Sequence, residues 1–356
     1  MTLALEMEAL RGAAGLQRRD HVKLLLVRGP DAFAVLDHAS TAALFVREGQ
    51  MWHTLFLRDD ASIFADVYIC GSVEGYFVFA EGPTEDELVK YLEMVRDTYV
   101  SGAAMTIDRL SLTHELWGVD GPYAWEVVAT LVGPLVLGMP YLTMLDREPY
   151  RCFRSGKTGE FGYDMLVPKE SVESMRARLA DIGAPLDLRE VSLAALDQCS
   201  LENWHFCIRT LPKAAGAPAL TPLELQLQSR IVYDRTFVGA EALRARRAAG
   251  PRVRATCITS NVEIVRGQTI LLDGQTVGEV LFAAFSIVRN EWVGIGLIAK
   301  SVAHPHVTFT VESGGAAISI KSRTPPLINN RSLHVDPHRH TYRTRGADTF
   351  PPIVLP

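Results

Sequence analysis

Ser155-Gly-Lys-Thr-Gly-Glu-Phe-Gly-Tyr-Asp-Met-Leu-Val-Pro168 is the most informative stretch of the chain. Its three glycines, spaced three residues apart, predict a tight turn, because glycine adopts backbone conformations that other residues avoid. The residues after the turn alternate, which predicts a strand with Tyr163, Met165 and Val167 on one face. Asp164 takes the opposite face. This carboxylate either faces solvent or contacts a ligand, and the spacing alone leaves both interpretations open.

A second carboxylate lies in a predicted strand from Ser62 to Cys70. Alternation puts Asp66 on the same face as Phe64 and Tyr68. A carboxylate flanked by two aromatic side chains belongs either to a buried ion pair or to a pocket that would perturb its pKa. Asp66 is therefore a candidate site residue, with a structural ion pair as the alternative.

The composition restricts the class of protein. A chain of 356 residues is long enough for two or three domains, and 48% hydrophobic with 22% charged residues indicates a globular fold. A formal net charge of −5 provides no basic field for nucleic acid or anionic membranes. Five cysteines without C-x-x-C spacing predict reduced thiols. We find no signal-peptide pattern or membrane-spanning apolar run, and therefore expect a soluble, cytoplasmic protein of undetermined oligomeric state.

Pattern changes along the chain predict its domain organisation. A strand-rich unit with helices occupies the first hundred residues, and its outline recurs from Glu115 to about Gly183. Residues Thr210 to Leu220, rich in Pro, Ala and Gly, predict a link. From Arg252, short β-branched runs between turns predict an all-β barrel or sandwich. The predicted regions are 1–215, with two interleaved subdomains of about 1–105 and 106–215, then 216–328, and a tail over 329–356.

The tail carries no apolar periodicity, so we expect it to be solvated and dispensable for folding. Three histidines, His334, His338 and His340, lie there beside Asp336, a set that could ligate a metal. Pro337 and the lack of regular structure favour a solvated segment over a preformed site. We therefore assign no metal ligands.

Several segments resemble, in the same order, the aminomethyltransferase family, which includes the T-protein of the glycine cleavage system. The opening stretch resembles the family's T-G-Y-T-G-E-x-G-[YF]-E-[IL]-x-[VL]-P. Residues 119–124, 234–243 and 278–297 resemble its G-P-x-A turn, its D-F-I-G-x-E-A-L signature and its C-terminal barrel. The resemblance covers roughly residues 6–328. It implies an α+β, T-protein-like folate-binding fold with two related α/β subdomains and a C-terminal β-barrel domain.

The resemblance also implies tetrahydrofolate as cofactor and assigns site residues. Ile63-Phe-Ala-Asp-Val67 resembles the family's G-[IV]-[IL]-D-D-[LIV], whose second Asp lies beside the folate, so Asp66 is the expected catalytic residue. Asp164 stands where the family has a pterin-binding Glu. Tyr68 and Glu202 are the other residues expected to bind the cofactor.

Other pocket positions depart from the family pattern. His53 and Lys157 stand where relatives have tyrosines, and Ser229 lies near the position of a tryptophan. Each change is either drift at a pocket rim or the mark of a changed ligand. If they mark a changed ligand, Lys157 would attract an anionic or acceptor group, because a cation replaces a stacking face. We expect His53, Lys157 and Ser229 to contact the substrate.

The leading hypothesis is a folate-dependent methyl or methylene transferase, or a demethylase, acting on a small metabolite. Asp66 would orient or deprotonate the attacking amine, or protonate the leaving group. The alternative keeps the fold without folate, with Asp66, His53 and Lys157 as an acid–base set for isomerisation, cyclisation or hydrolysis. A third possibility, an interaction protein like the family's iron–sulfur assembly factors, lacks that group's K-G-C-[YF]-x-G-[QE] motif.

Overall fold

The structure, a computed structural model, describes residues 2–205, 207–211, 220–313, 316–346 and 350–354. Most of the predicted link lies outside these ranges. The helices within them are α1 Leu3–Gly12, α2 Ala32–Ala39, α3 Glu85–Tyr99, α4 Ala124–Val132, α5 Val172–Gly183, α6 Leu193–Glu202 and α7 Ala240–Ala249. None of these helices is both long and apolar enough to cross a membrane.

The strands follow the predicted runs closely, and short 3₁₀ turns connect some of them. They are β1 Ala14–Arg18, β2 Lys23–Arg28, β3 Met51–Leu57, β4 Ile63–Ser72, β5 Gly75–Glu81, β6 Thr106–Arg109, β7 His114–Asp120, β8 Met144–Arg147, β9 Tyr150–Phe153, β10 Gly162–Pro168, β11 Leu188–Glu190, β12 Val253–Ser260, β13 Thr269–Leu272, β14 Gln275–Ser286, β15 Glu291–Ala299, β16 Thr308–Ser313 and β17 Ala316–Arg323.

Two sheets and a barrel make up the fold. One sheet has five strands in the order β3-β4-β5-β2-β6, and the other has six in the order β11-β1-β7-β10-β9-β8. Strands β12 to β17 close into a six-stranded barrel. Of the two all-β arrangements that the sequence allows for this region, a barrel or a sandwich, the structure has the barrel. The apolar residues of α2 and α3 cover one face of the five-stranded sheet, and those of α4 and α5 cover one face of the six-stranded sheet. Each sheet thus forms an α/β unit.

The uncovered faces of the two sheets pack against each other. Leu24 and Phe79 from the five-stranded sheet meet Leu116, Phe153 and Leu166 from the six-stranded sheet in one buried cluster. Burying apolar faces on both sides of a sheet is the usual way to stabilise such layers. The layers are therefore helix, sheet, sheet, helix, and polar side chains at one end of the sheet interface leave a cavity there.

A local side-chain contact decides where α2 ends, at Ala39. That helix stops because the Ser40 hydroxyl donates to the carbonyl of Leu36 (2.8 Å) and satisfies it without a further turn. The two predicted subdomains also exchange strands: β1 joins the six-stranded sheet, whereas β6, after residue 105, completes the five-stranded one.

The C-terminal segment is not the solvated tail that its polarity predicts. Residues 329–342, which we name the C-terminal strap, run along the six-stranded unit. Val335 is buried in the core beneath α4 and α5. The Tyr342 ring packs edge-on against Tyr123 (5.7 Å between centroids), and its backbone N–H donates to Glu126 (2.8 Å). Single anchors of this kind do not produce a periodic pattern, which explains why the sequence did not reveal them.

Two histidines of the strap, His334 and His340, make hydrogen bonds within the strap itself. His340 Nδ1 accepts the backbone N–H of Asp336 (2.9 Å), and His334 Nε2 lies 3.1 Å from the side-chain oxygen of Asn329. Across the described ranges, three or more His, Cys, Asp and Glu side chains nowhere come together in an arrangement that would hold a metal ion.

Candidate functional site

The cavity between the two sheets encloses about 600 Å³ of space, part of which is open to solvent. Strands of both sheets, the glycine turn and α6 form its walls. Apolar side chains line one part, and charged side chains line the rest. The charged lining consists of Arg19, Asp66, Glu81, Asp120, Lys157, Asp164 and Arg209.

The β4–β5 hairpin places two carboxylates side by side. Its two-residue turn pairs Ser72 with Gly75, and counting along the strands pairs Asp66 with Glu81. Like charges opposite each other on a sheet are destabilising. Lys157 resolves the conflict, because its ammonium donates to Asp66 (2.8 Å) and to Glu81 (2.6 Å). The sheet thus presents a carboxylate pair that is bridged by one buried cation.

Asp66 accepts hydrogen bonds from three side chains. It is 4% exposed. Besides Lys157, it accepts hydrogen bonds from His53 Nε2 (2.6 Å) and Arg230 (3.1 Å). Burial opposes its ionised form, but the hydrogen bond from His53 and the charges of Lys157 and Arg230 outweigh burial and hold its pKa well below the usual range. Asp66 is therefore a carboxylate at neutral pH.

His53 connects the cavity with an outer groove. Its ring stacks on Tyr68 (4.2 Å between centroids), a neighbour across β3 and β4. Burial lowers the pKa of His53 despite the adjacent Asp66, so the imidazole is neutral at pH 7. The Nε2–H donates to Asp66, which leaves Nδ1 as an acceptor. The groove beside it is lined by His53, Trp52, Tyr141, Ser229 and Arg230, among others.

A second ion cluster lies on the six-stranded sheet. Arg19, 7% exposed, forms ion pairs with Asp120 and with Asp164 (2.9 Å to the latter). The Ser155 hydroxyl donates to the other oxygen of Asp164. The guanidinium of Arg19 lies across Gly118, where a Cβ would approach it to 2.1 Å. Asp164 thus lines the cavity, and protein groups already bind both of its oxygens.

The glycine turn after β9 holds Lys157 in place. Gly156 and Gly159 have positive φ angles of 139° and 80°, as the glycine spacing predicts. A Cβ on Gly162 would lie 2.2 Å from the carbonyl oxygen of Ser155, so the turn closes too tightly for any other residue. Lys157, between these glycines, is directed into the cavity with its side chain 12% exposed.

Not all predicted residues come together. Asp66, Tyr68, Lys157 and Asp164 line the cavity, and His53 stands between the cavity and the groove that Ser229 also lines. Glu202 is different. It is fully buried at the end of α6, where it pairs with Arg11 (2.6 Å) and accepts from Ser286 (2.7 Å), outside both the cavity and the groove. The proposed site therefore leaves Glu202 out.

The aromatic flank of Asp66 is also only half as predicted. Tyr68 shares the cavity with Asp66, but Phe64 stacks on Tyr91 of α3 (4.5 Å). The cause is a β-bulge: Phe56 pairs with Ala65 and Leu57 with Ile63, so Phe64 has no partner and turns to the helix side. Alternation did not predict this local break.

Sequence reasoning missed several lining residues. Glu81 had a usable signal, because counting from the hairpin turn places it opposite Asp66. Arg19 and His21 follow β1 in a charged run that suggests a surface loop, and Arg209 and Arg230 carry no pattern at all. His21 is notable in the cavity, since in the described part of the chain it makes no hydrogen bond. Burial lowers its pKa to about 4, so it is a neutral imidazole at pH 7.

Comparisons with known proteins agree with this architecture. The profile of the GCVT N-terminal domain family matches residues 2–235. The chain is 26% identical to an aminomethyltransferase from Mycobacterium avium over 334 residues, covering 91% of this chain and 88% of the relative. A probable aminomethyltransferase from Pyrococcus abyssi is 23% identical over 351 residues, with 90% and 88% covered. The crystal structure of glycine cleavage system aminomethyltransferase T from Bartonella henselae superimposes with a TM-score of 0.79 at 21% identity, covering 92% and 90%.

The chain therefore belongs to the GCVT N-terminal domain family, whose profile spans more than half of its length. This confirms the predicted aminomethyltransferase-family membership. The structural likeness also confirms the predicted α+β, T-protein-like fold with its C-terminal barrel.

Proposed function

We propose that this protein is a tetrahydrofolate-dependent one-carbon transferase that acts on a small metabolite, with Asp66 as its catalytic residue. Family membership supports one-carbon transfer, since the relatives are aminomethyltransferases. The observation that carries the proposal is the buried, ionised Asp66 in the cavity between the sheets, where a second carboxylate, Asp164, lines the wall formed by the other sheet. The relatives favour this function over a folate-independent enzyme with the same fold.

The residues of the cavity fit tetrahydrofolate. The pterin ring of this cofactor is flat and carries N–H donors along one edge. Asp164 offers carboxylate lone pairs beyond those that Arg19 and Ser155 use, so it suits that edge. Phe79, Leu116 and Leu196 provide apolar walls for the ring faces. When bound, tetrahydrofolate supplies the ring nitrogen that accepts the one-carbon group.

Asp66 is suited to one of the three roles that the sequence left open, which is to orient the attacking amine, because a carboxylate with a strongly lowered pKa is a weak base. Since three donors hold its pKa well below the usual range, it stays ionised and does not protonate a leaving group. An ionised carboxylate orients an N–H donor or stabilises positive charge that develops during transfer. Lys157 and Glu81 fix the position of Asp66, which keeps the reacting groups aligned. Lys157 itself offers no free charge to an anion, because both carboxylates already engage it.

His53 lines the outer groove, where we expect it to contact the substrate. Its Nε2–H is committed to Asp66, so Nδ1 accepts a hydrogen bond or a proton from a group in the outer groove. Because burial lowers its pKa, the imidazole is free of a proton at neutral pH. Ser229 and Arg230 line the same groove and provide further donors for the substrate.

The test is a transfer assay. Purified protein is incubated with tetrahydrofolate and a panel of metabolites that carry a methyl or an aminomethyl group on N, O or S. Mass spectrometry detects methyl-tetrahydrofolate from the methyl donors and methylene-tetrahydrofolate, with release of ammonia, from the aminomethyl donors. We expect Asp66→Asn, which keeps the shape and removes the charge, to lower the rate at least ~100-fold, the usual scale for a lost group that stabilises developing charge.

Asp20→Asn is the matched control, since that carboxylate is mostly exposed and lies outside the cavity. If the protein binds tetrahydrofolate but no donor in the panel transfers a one-carbon group to it, the proposed one-carbon transfer is contradicted. An Asp66→Asn rate within about threefold of wild type would make the carboxylate structural.

A further inference from the structure

The C-terminal strap grips the loop that carries Lys157. Both side-chain oxygens of Glu160 accept from the strap: Oε1 from the backbone N–H of Arg331 (3.2 Å), and Oε2 from the N–H and hydroxyl of Ser332 (2.8 and 2.6 Å). In return, the backbone N–H of Phe161 donates to the Ser332 hydroxyl (2.8 Å). Glu160 is 1% exposed on its side chain, so this contact is sealed from water.

Asn330 extends the grip to the residues beside Lys157. Its amide donates to Asn203 (2.5 Å), and Asn203 in turn donates to the carbonyl of Thr158 (2.7 Å). Arg11 bonds both Asn330 (3.1 Å) and the same Thr158 carbonyl (2.9 Å). The Asn330 side chain is therefore linked to the carbonyl of Thr158, the residue after Lys157, both through Asn203 and through Arg11.

The hydrogen bonds between the C-terminal strap and the loop are buried. Asn330 is 7% exposed and its partner Arg11 is 3% exposed, so the network is part of the interior. Hydrogen bonds buried in this way are costly to leave unmade, and their geometry is correspondingly fixed. A loop that is held at Thr158, Glu160 and Phe161 has little freedom at Lys157, one residue before.

We propose that the C-terminal strap is a positioning element of the site: through Asn330 and Ser332 it holds the 156–161 loop, and thereby places Lys157 between Asp66 and Glu81. The strap touches neither carboxylate itself. Its effect passes through Lys157, whose ammonium bridges them. A side chain moved by about 1 Å is enough to lower a catalytic rate substantially.

The test compares Asn330→Ala/Ser332→Ala with wild type by two readouts. The first is kcat in the transfer assay, which rests on the proposed function and is expected to fall by about ten- to a hundredfold. The second is the NMR titration of the His53 imidazole, which needs neither folate nor substrate. The Lys157 charge lowers the pKa of His53, so displacement of Lys157 should raise it, in the same direction as in Lys157→Met, which is titrated alongside.

Matched variants separate positioning from simple stability. Leu333→Ala, at a neighbouring side chain that is 73% exposed, should leave both readouts at wild-type values. Ser332→Thr keeps the hydroxyl and should largely retain both. If the double variant does not fold, Ser332→Ala alone is compared with these two.

A melting temperature that falls while the His53 titration and kcat stay at wild-type values would overturn the proposal and make the strap purely structural. A shifted titration without measurable transfer would retain the strap's role and count against the proposed function instead.

Discussion

Asp66 shows how neighbouring side chains determine what a carboxylate does. Buried without partners, it would have a raised pKa and carry a proton. Three donors reverse that tendency, and the result is a charge held in a protected cavity. Lys157 connects this carboxylate to the next one, because its ammonium bridges Asp66 to Glu81, the neighbour across the hairpin.

This balance predicts the effect of removing the bridging cation. Lys157→Met leaves two adjacent buried carboxylates without their common partner, and we expect the free energy of unfolding to fall by about 3 kcal/mol. Lys157→Met/Glu81→Gln removes one of the conflicting charges and should recover part of that loss. Urea denaturation measures both. If the double variant is less stable than Lys157→Met by the full cost of Glu81→Gln alone, the two residues are not coupled.

At the scale of elements, regular pattern was predictable and local breaks were not. The strand from Gly162 to Pro168, with Asp164 on its cavity face, followed from period-two alternation. The Thr84–Glu87 capping box at the start of α3 is another regular sequence pattern, and both of its hydrogen bonds form in the structure. The bulge at Phe64 was not predictable, because it depends on how β3 and β4 pair, and neither strand alone encodes that pairing.

The site shows the same division. Asp66, Tyr68 and Asp164 lie on strands whose faces can be assigned from the sequence. The family resemblance places all three at one site, and in the structure they line one cavity. Arg19 and Arg230 come from irregular segments, whose direction only the assembled fold determines. The strap was missed for a related reason: its anchors, Asn330, Ser332 and Val335, are single side chains in a polar segment.

At the scale of the whole molecule, buried neutral imidazoles make stability depend on pH. Burial lowers the pKa of His21 and of His205 to about 4, against about 6.5 in an unfolded chain. Between these values the unfolded chain binds protons that the native protein does not. Stability therefore falls as the pH decreases from 6.5 to 4, by roughly 1 to 3 kcal/mol for each imidazole.

Urea midpoints at pH 7 and pH 4.5 measure this dependence. His21→Gln should reduce the difference between the two midpoints, whereas His338→Gln, at an exposed position, should not change it. Equal midpoints at both pH values, or an unchanged difference in His21→Gln, would mean that His21 binds a proton in the native state.

Whether the cavity binds tetrahydrofolate can be measured by calorimetric titration of wild type and Asp164→Ala with the cofactor. We expect saturable binding of one molecule per chain in the micromolar to millimolar range. We also expect a loss of at least about tenfold in affinity for Asp164→Ala, because that carboxylate receives the donor edge of the pterin. Asp146→Ala, half-exposed and outside the cavity, should bind like wild type. If no binding is detected up to millimolar tetrahydrofolate, the proposal that the protein uses this cofactor is wrong.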